Sequence, residues 1–424
     1  MQSFDITWAR AQFPALAQQT KGQANIFFDG PGGTQTPQQV IDAITNYLIY
    51  ANANTHGAFG RSMQTDETII AARTAMAQFL GCDKDEIVFG SNMTSLTFAL
   101  SRAIGRQLNP GDEIIVTKLD HDANFAPWLA LEERGVVVRV VDINIEDCTL
   151  DMTSLIEQIN ENTRLVAVGY ASNAVGTIND VAEIARVAHN FGALVFVDAV
   201  HYAPHGPIDV QTINCDFLAC SPYKFFGPHI GVLYGKREHL DRFRPYKVRP
   251  ASDNIPDCWE TGTQNHEAMA GTIAAVNYIA ELGRRIAPNA LGYRKQILTA
   301  MRAICSYERE LAEQLVAGLL KIPNLTFYGI RDLENFDWRT PTIGIRLAGY
   351  TPGELAQILS ERGISTWDGN HYAINLTERL GIETTGGLLR IGLVHYNTSE
   401  EIEFLLEQLN EISTAKLVPS LVSR

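Results

Sequence analysis

Strand-length apolar runs rich in Val, Ile and Leu recur through the first two thirds of the chain, at residues 86–89, 113–116, 136–141, 165–168, 193–197, 216–220 and 231–235. Between several of them lie segments with helical periodicity, notably 94–106, 151–160 and 180–190. Runs that are apolar on both sides suit strands covered by helices on both faces, the mark of a parallel sheet. The alternation predicts a doubly wound, mostly parallel α/β sheet from about residue 20 to about 260. Ahead of it, residues 25–28 read as a strand and 37–50 as a helix with Pro37 in its first turn. Residues 68–80 read as a helix closed by Gly81.

From Glu267 the pattern changes to long helices (267–282 and 296–320), short strands (325–328, 342–347, 388–393), a helix at 352–362 and a last helix after the capping box Thr398 to Glu401. The expected organisation is an N-terminal arm (1–20) packing with the smaller unit, a large domain (21–285) and a smaller C-terminal α+β domain (286–424). At 424 residues, 46% hydrophobic and 19% charged, the chain can bury such cores without disulfides or metal. A net charge of −14 argues against nucleic acid or an anionic membrane as partner. The six cysteines form no CxxC motif, which suits reduced thiols; with no signal-peptide pattern and no membrane-length apolar run, the expected location is cytoplasmic.

In open α/β sheets ligands bind beyond the carboxyl ends of the strands. Asn92, His121, Asn173, Asp198 and Lys224 all follow predicted strands and so converge on one crevice. Lys224 lies on a Ser-flanked, Gly/Pro-rich turn, and Asp198 ends the strand before it. That pair matches the needs of pyridoxal 5'-phosphate (PLP): an amine for the Schiff base and a carboxylate to keep the ring nitrogen protonated, making the ring an electron sink. The plainer readings are a solvated loop lysine and a turn aspartate.

The neighbouring residues extend the pattern. Asn92, Met93 and Thr94 open a helix whose N-terminus suits a phosphate, as does the Ser221 hydroxyl; Thr94 also reads as the helix cap. His121 either lies flat on a cofactor ring or is a satisfied structural histidine. His201 either reaches the ring hydroxyl or sits in the core. Asn173 either donates to the ring oxygen or serves a turn. Arg390 lies inside an apolar strand, where it needs a partner: a substrate carboxylate or a structural acid. The glycines at 30, 32 and 33 form a tight turn near the site and follow neither a Walker nor a GxGxxG pattern.

Five segments carry a resemblance: FDGPGGTQTP at 28–37, HDANFAPW at 121–128, SNAVGT at 172–177, VDAVH at 197–201 and SPYKFFG at 221–227. In order and spacing, from about residue 25 to residue 397, the chain resembles the cysteine desulfurases, which belong to the class V aminotransferase family of fold-type I PLP-dependent enzymes. The resemblance implies that Lys224 carries the cofactor and shuttles the Cα proton, that Asp198 binds the pyridinium and that His121 stacks on the ring. It places Asn173 and His201 at the ring oxygen, and Ser221 with Asn92, Met93 and Thr94 at the phosphate. It further implies a homodimer with the site at its interface, where Thr263 completes the partner subunit's phosphate site. Arg390 matches the arginine that holds the substrate carboxylate, and His56 lies in a segment resembling one near the substrate.

One departure bears on the reaction. Desulfurases take up sulfur on a loop cysteine, and Tyr372 stands at that place; no cysteine follows Cys305. A phenol with a pKa of about 10 cannot accept sulfane sulfur as a thiolate does. Tyr223 and His201 also replace a more usual His and Gln. The expectation is a PLP-dependent enzyme cleaving a carbon–sulfur bond of an amino acid by β-elimination, as a cysteine or cystine lyase does. The alternatives are a class V aminotransferase or epimerase, a catalytically inactive PLP-fold binding protein, and a desulfurase that uses Cys258. Tyr372 either packs against the substrate or donates a proton.

Overall fold

The computed structural model describes residues 4–20 and 22–415. Seven strands build the central sheet: β1 (Ile87–Gly90), β2 (Glu113–Thr117), β3 (Val137–Val141), β4 (Thr163–Gly169), β5 (Leu194–Asp198), β6 (Phe217–Cys220) and β7 (Gly231–Gly235). Their spatial order is 1-7-6-5-4-2-3, and β7 alone runs against its neighbours β6 and β1. The α/β fold class expected from the apolar runs is therefore present. Side chains alternate between two cores as the pleat requires: Val195, Val197, Leu218 and Cys220 enter one, and Phe196, Phe217 and Ala219 the other. The buried Cys215 and Cys220 bracket β6.

A second sheet is antiparallel: β8 (Leu325–Tyr328), β9 (Thr342–Leu347), β10 (Trp367–Gly369) and β11 (Leu388–Gly392), in the order 8-9-11-10. The helix Tyr293–Leu319 ties the two sheets together. Ile297, Ala300, Met301 and Ile304 pack with the central sheet, whereas Leu311, Leu315, Val316 and Leu319 pack under the second. The N-terminal segment touches both units. Phe13 packs edge-on to Phe226 and Tyr278, Phe4 stacks on Tyr307 at 4.6 Å, and Arg10 pairs with Glu401 at 2.8 Å.

Three local expectations are corrected. The helix expected at 37–50 is α-helical over Gln38–Asn46, with Pro37 at its cap, and widens into a π turn over Tyr47–Ala51. The helix expected at 68–80 begins earlier and spans Gly60–Leu80. In its otherwise open first turns Ser62 and Thr65 are buried through hydrogen bonds rather than apolar contact: Ser62 donates to the Asn54 carbonyl (2.6 Å), and Thr65 bonds the Tyr47 hydroxyl (2.9 Å). Asn92, not Thr94, caps the helix Met93–Gly105, its side chain accepting from Ser95 N–H at 2.8 Å. Among the described residues no helix is long and apolar enough to cross a membrane.

Candidate active site

The carboxyl ends of β1, β2, β4, β5 and β6 open on a cavity of about 420 Å³, closed from the other side by β10, β11 and the loop after β10. From the central sheet come Asn92, Met93 and Thr94 after β1, His121 after β2, Asn173 after β4, Asp198 and His201 at and after β5, and Ser221 and Lys224 after β6. Arg390 of β11 and Tyr372 line the opposite wall.

Lys224 ends a tight turn, Pro222–Lys224, and its ammonium donates to the carbonyl of Pro31 in the Gly30–Gly32 turn. Burial, helped by the nearby Arg390 charge and opposed by Asp198, pushes its pKa down to about 7. Asp198 is buried and accepts from Val200 N–H at 2.9 Å; burial raises its carboxyl to about 6, against the pull of that hydrogen bond and of Lys224. His121 accepts from Ala123 N–H through Nδ1 (3.0 Å), and burial with the Lys224 and Arg390 charges lowers it to about 4, so it is neutral near pH 7. His201 is held neutral mainly by burial, with Nε2 3.2 Å from the Thr340 hydroxyl.

Arg390 donates from Nη1 to the Asn173 carbonyl (2.9 Å), while its buried Nε has no protein partner. The Asp29 carboxyl, itself raised to about 6 by burial, partly offsets the cost of burying the Arg390 charge. Asn173 spends one amide N–H on the His371 carbonyl (2.7 Å), and its buried Oδ1 has no protein partner.

The loop that carries Tyr372 is built rather than loose. His371 and Tyr372 are both left-handed, with φ 55° and 59°. Neither is glycine, so each costs about 1–3 kcal/mol that the surroundings must offset. Asn173 holds the His371 carbonyl, Asp122 N–H donates to the Tyr372 carbonyl (2.7 Å), and Asn370 Oδ1 accepts from Tyr372 N–H (3.0 Å). The Tyr372 ring stacks on His121, with centroids 5.3 Å apart and planes 14° from parallel.

Residues 26–405 match the family model described as Aminotransferase class-V. The chain belongs to the class V aminotransferases. It is 32% identical to a cysteine desulfurase of Pectobacterium atrosepticum over 97% of this chain and 98% of that protein. It is also 32% identical to a cysteine desulfurase of Synechococcus elongatus over 98% of this chain, which spans 64% of that longer protein. Among solved structures, the apo cysteine desulfurase of Thermococcus onnurineus NA1 superposes with a TM-score of 0.86 at 27% identity, covering 98% of this chain and all of that one. Class V aminotransferases are PLP-dependent enzymes acting on amino acids, and this chain is a PLP-dependent, cysteine desulfurase-like enzyme.

The cavity fits that cofactor on its own chemistry. It offers an amine about half neutral near pH 7, a buried carboxylate at the end of the neighbouring strand, and buried polar atoms on Asn173 and Arg390 that no protein group satisfies. It also offers a helix start where Met93 and Thr94 N–H groups have no acceptor within their own helix.

Two of the expected site residues stand apart from the cavity of the single chain. His56 is exposed and pairs with Asp66 at 3.3 Å, and Thr263 is exposed beyond the Asp257–Trp259 turn. Cys258 is corrected: it is buried beside Trp259 and Phe243 in the second core and does not line the cavity.

Asp120 and Trp367, neither expected from the sequence, also line the cavity. Asp120 is buried, accepts from Thr117 (2.8 Å) and from Gly169 N–H, and is raised to about 7 chiefly by burial and also by Asp198. Its signal was available, since it is a second carboxylate shortly after a strand. Trp367 had none, because its place depends on register: it is the cross-strand partner of Arg390.

Proposed function

We propose that this enzyme cleaves the Cβ–S bond of a cysteine-type amino acid by β-elimination, converting cysteine and water to pyruvate, ammonia and sulfide. The observation that carries the reading is the cavity wall: a lysine amine, a carboxylate and an arginine meet there, yet none of the described residues lining it is a cysteine. PLP, when bound, supplies the sink for the electrons left on Cα.

The chain's own groups supply the rest. Lys224, neutral above about pH 7, holds the cofactor and then takes the Cα proton. Asp198 faces the ring nitrogen and favours its protonated form, the two charges offsetting the cost of burying either. His121 packs on the ring, and Asn173 with His201 meets the ring oxygen. Ser221, Asn92, Met93 and Thr94 hold the phosphate, with Thr263 of a second copy completing it in a homodimer. Arg390 clamps the α-carboxylate, and His56 and Tyr372 border the substrate. In this reading Tyr372 occupies the place of a persulfide-forming cysteine, so sulfur leaves as sulfide or thiol rather than on the protein. The division into residues 1–20, 21–285 and 286–424 and a cytoplasmic location belong to the same reading.

The test is to supply PLP-loaded protein with cysteine and cystine and assay sulfide and pyruvate together. Both products support the lyase. A keto acid that retains its sulfur would assign transamination, racemised substrate would assign epimerisation, and no turnover of any kind would assign a binding protein.

A further inference from the structure

Two aromatic rings stand on the cavity wall beside the carboxylate clamp. Trp367 and Arg390 are directly paired across β10 and β11, so their side chains share one face of the second sheet. Trp367 is 52% exposed and Tyr372 71% exposed, although both line the cavity. Large aromatics left open at a pocket commonly mark the groups a ligand covers.

Both positions are built. The indole lies against the Gly32 backbone so closely that a Cβ there would sit 2.4 Å from Nε1; glycine at 32 makes its seat. Tyr372 is held by its stack on His121 and by the hydrogen bonds that fix its left-handed backbone. An amino acid whose carboxylate meets Arg390 therefore has an indole alongside it, and its outer end faces a wall that includes a phenol ring. A small hydrophilic thiol leaves those rings wet, whereas an aromatic or bulky apolar group would cover them.

We propose that Trp367 and Tyr372 form a specificity subsite for an amino acid bearing an aromatic or bulky apolar group beyond Cβ, such as an S-substituted cysteine, in preference to free cysteine. The inference rests on the lyase reading above for its chemistry, but recognition and cleavage have separate readouts. With an S-substituted cysteine and water, the same β-elimination gives pyruvate, ammonia and the free thiol, with no external oxidant or reductant.

The experiment is a titration of the PLP-loaded enzyme with S-benzyl-L-cysteine, S-methyl-L-cysteine and L-cysteine, followed by the cofactor's absorbance. S-benzylcysteine should bind about tenfold more tightly than S-methylcysteine. Trp367→Ala and Tyr372→Ala should each shrink that ratio, and Tyr372→Phe, which keeps the ring, should preserve it. Equal affinities in the unmodified enzyme, or a ratio untouched by both alanine variants, would overturn the subsite. Pyruvate is measured in the same samples. Tight binding of S-benzylcysteine without pyruvate would sink the lyase reading and leave the subsite standing, whereas pyruvate formed without the affinity ratio would do the reverse.

Discussion

Asp198 and Lys224 face the same cavity, and each opposes what burial does to the other. Burial drives the carboxyl up to about 6 and the amine down to about 7, while their mutual attraction pulls both back toward the charged forms. The consequence is an amine that is about half neutral near pH 7 and becomes fully so just above it. Covalent attachment of PLP needs that neutral form, so its rate should be nearly flat above about pH 7 and fall about tenfold per pH unit well below it. Stopped-flow absorbance across pH 5–9 measures the profile; an ordinary exposed lysine would still be accelerating at the top of that range.

Asp120 gives a stability signature of the opposite sign to a salt-bridged carboxylate. Its folded pKa of about 7 lies above the unfolded value, so the folded state holds the extra proton between about pH 4 and 7. The stabilisation is present at the low end of that window and is lost as pH rises through it, by about 1.4 kcal/mol per pH unit. Asp120→Asn should flatten the profile by Asp120's share, leaving the smaller contributions of the raised Asp29 and Asp198 carboxyls. Urea midpoints of the cofactor-free protein at pH 5 and 7.5, compared with those of the variant, test it; parallel shifts in both proteins would contradict the assignment.

Arg390→Lys keeps a positive charge but loses the planar fork that matches a carboxylate. Amino-acid affinity, read from the cofactor's spectrum, should fall about 10- to 100-fold, while an amine lacking the carboxylate should bind as it does to the unmodified enzyme. Equal losses for both ligands would show that the arginine serves only structure.

Arg73 supports the site from behind. It pairs with the buried Glu260 and with Asp257 at 2.8 Å each, and Glu260 in turn accepts from Phe89 N–H on β1 (2.9 Å), just ahead of the Asn92 cap. Arg73→Ala leaves Glu260 buried without its cation and should destabilise the protein by about 3–5 kcal/mol. The denaturant midpoint should drop with an unchanged slope.

Much of this was legible in the sequence because burial on both faces leaves a plain mark. β2, β4, β5 and β6 read as apolar runs, and the rule that ligands gather at strand carboxyl ends brought His121, Asn173, Asp198 and Lys224 to one crevice. What escaped depended on relations across the fold. The early start of the helix Gly60–Leu80 escaped because Ser62 and Thr65 are buried by hydrogen bonds, which leave no hydrophobic period. Trp367 gains its meaning only from its register with Arg390, and the left-handed pair His371 and Tyr372 carries no glycine to announce it.

The most direct test of the account is where the cofactor is attached. The protein is loaded with PLP, reduced with borohydride, digested and analysed by mass spectrometry. The phosphopyridoxyl mass should fall on the peptide carrying Lys224 and vanish in a folded Lys224→Ala variant. A modified peptide elsewhere, or none at all, would contradict the site described here.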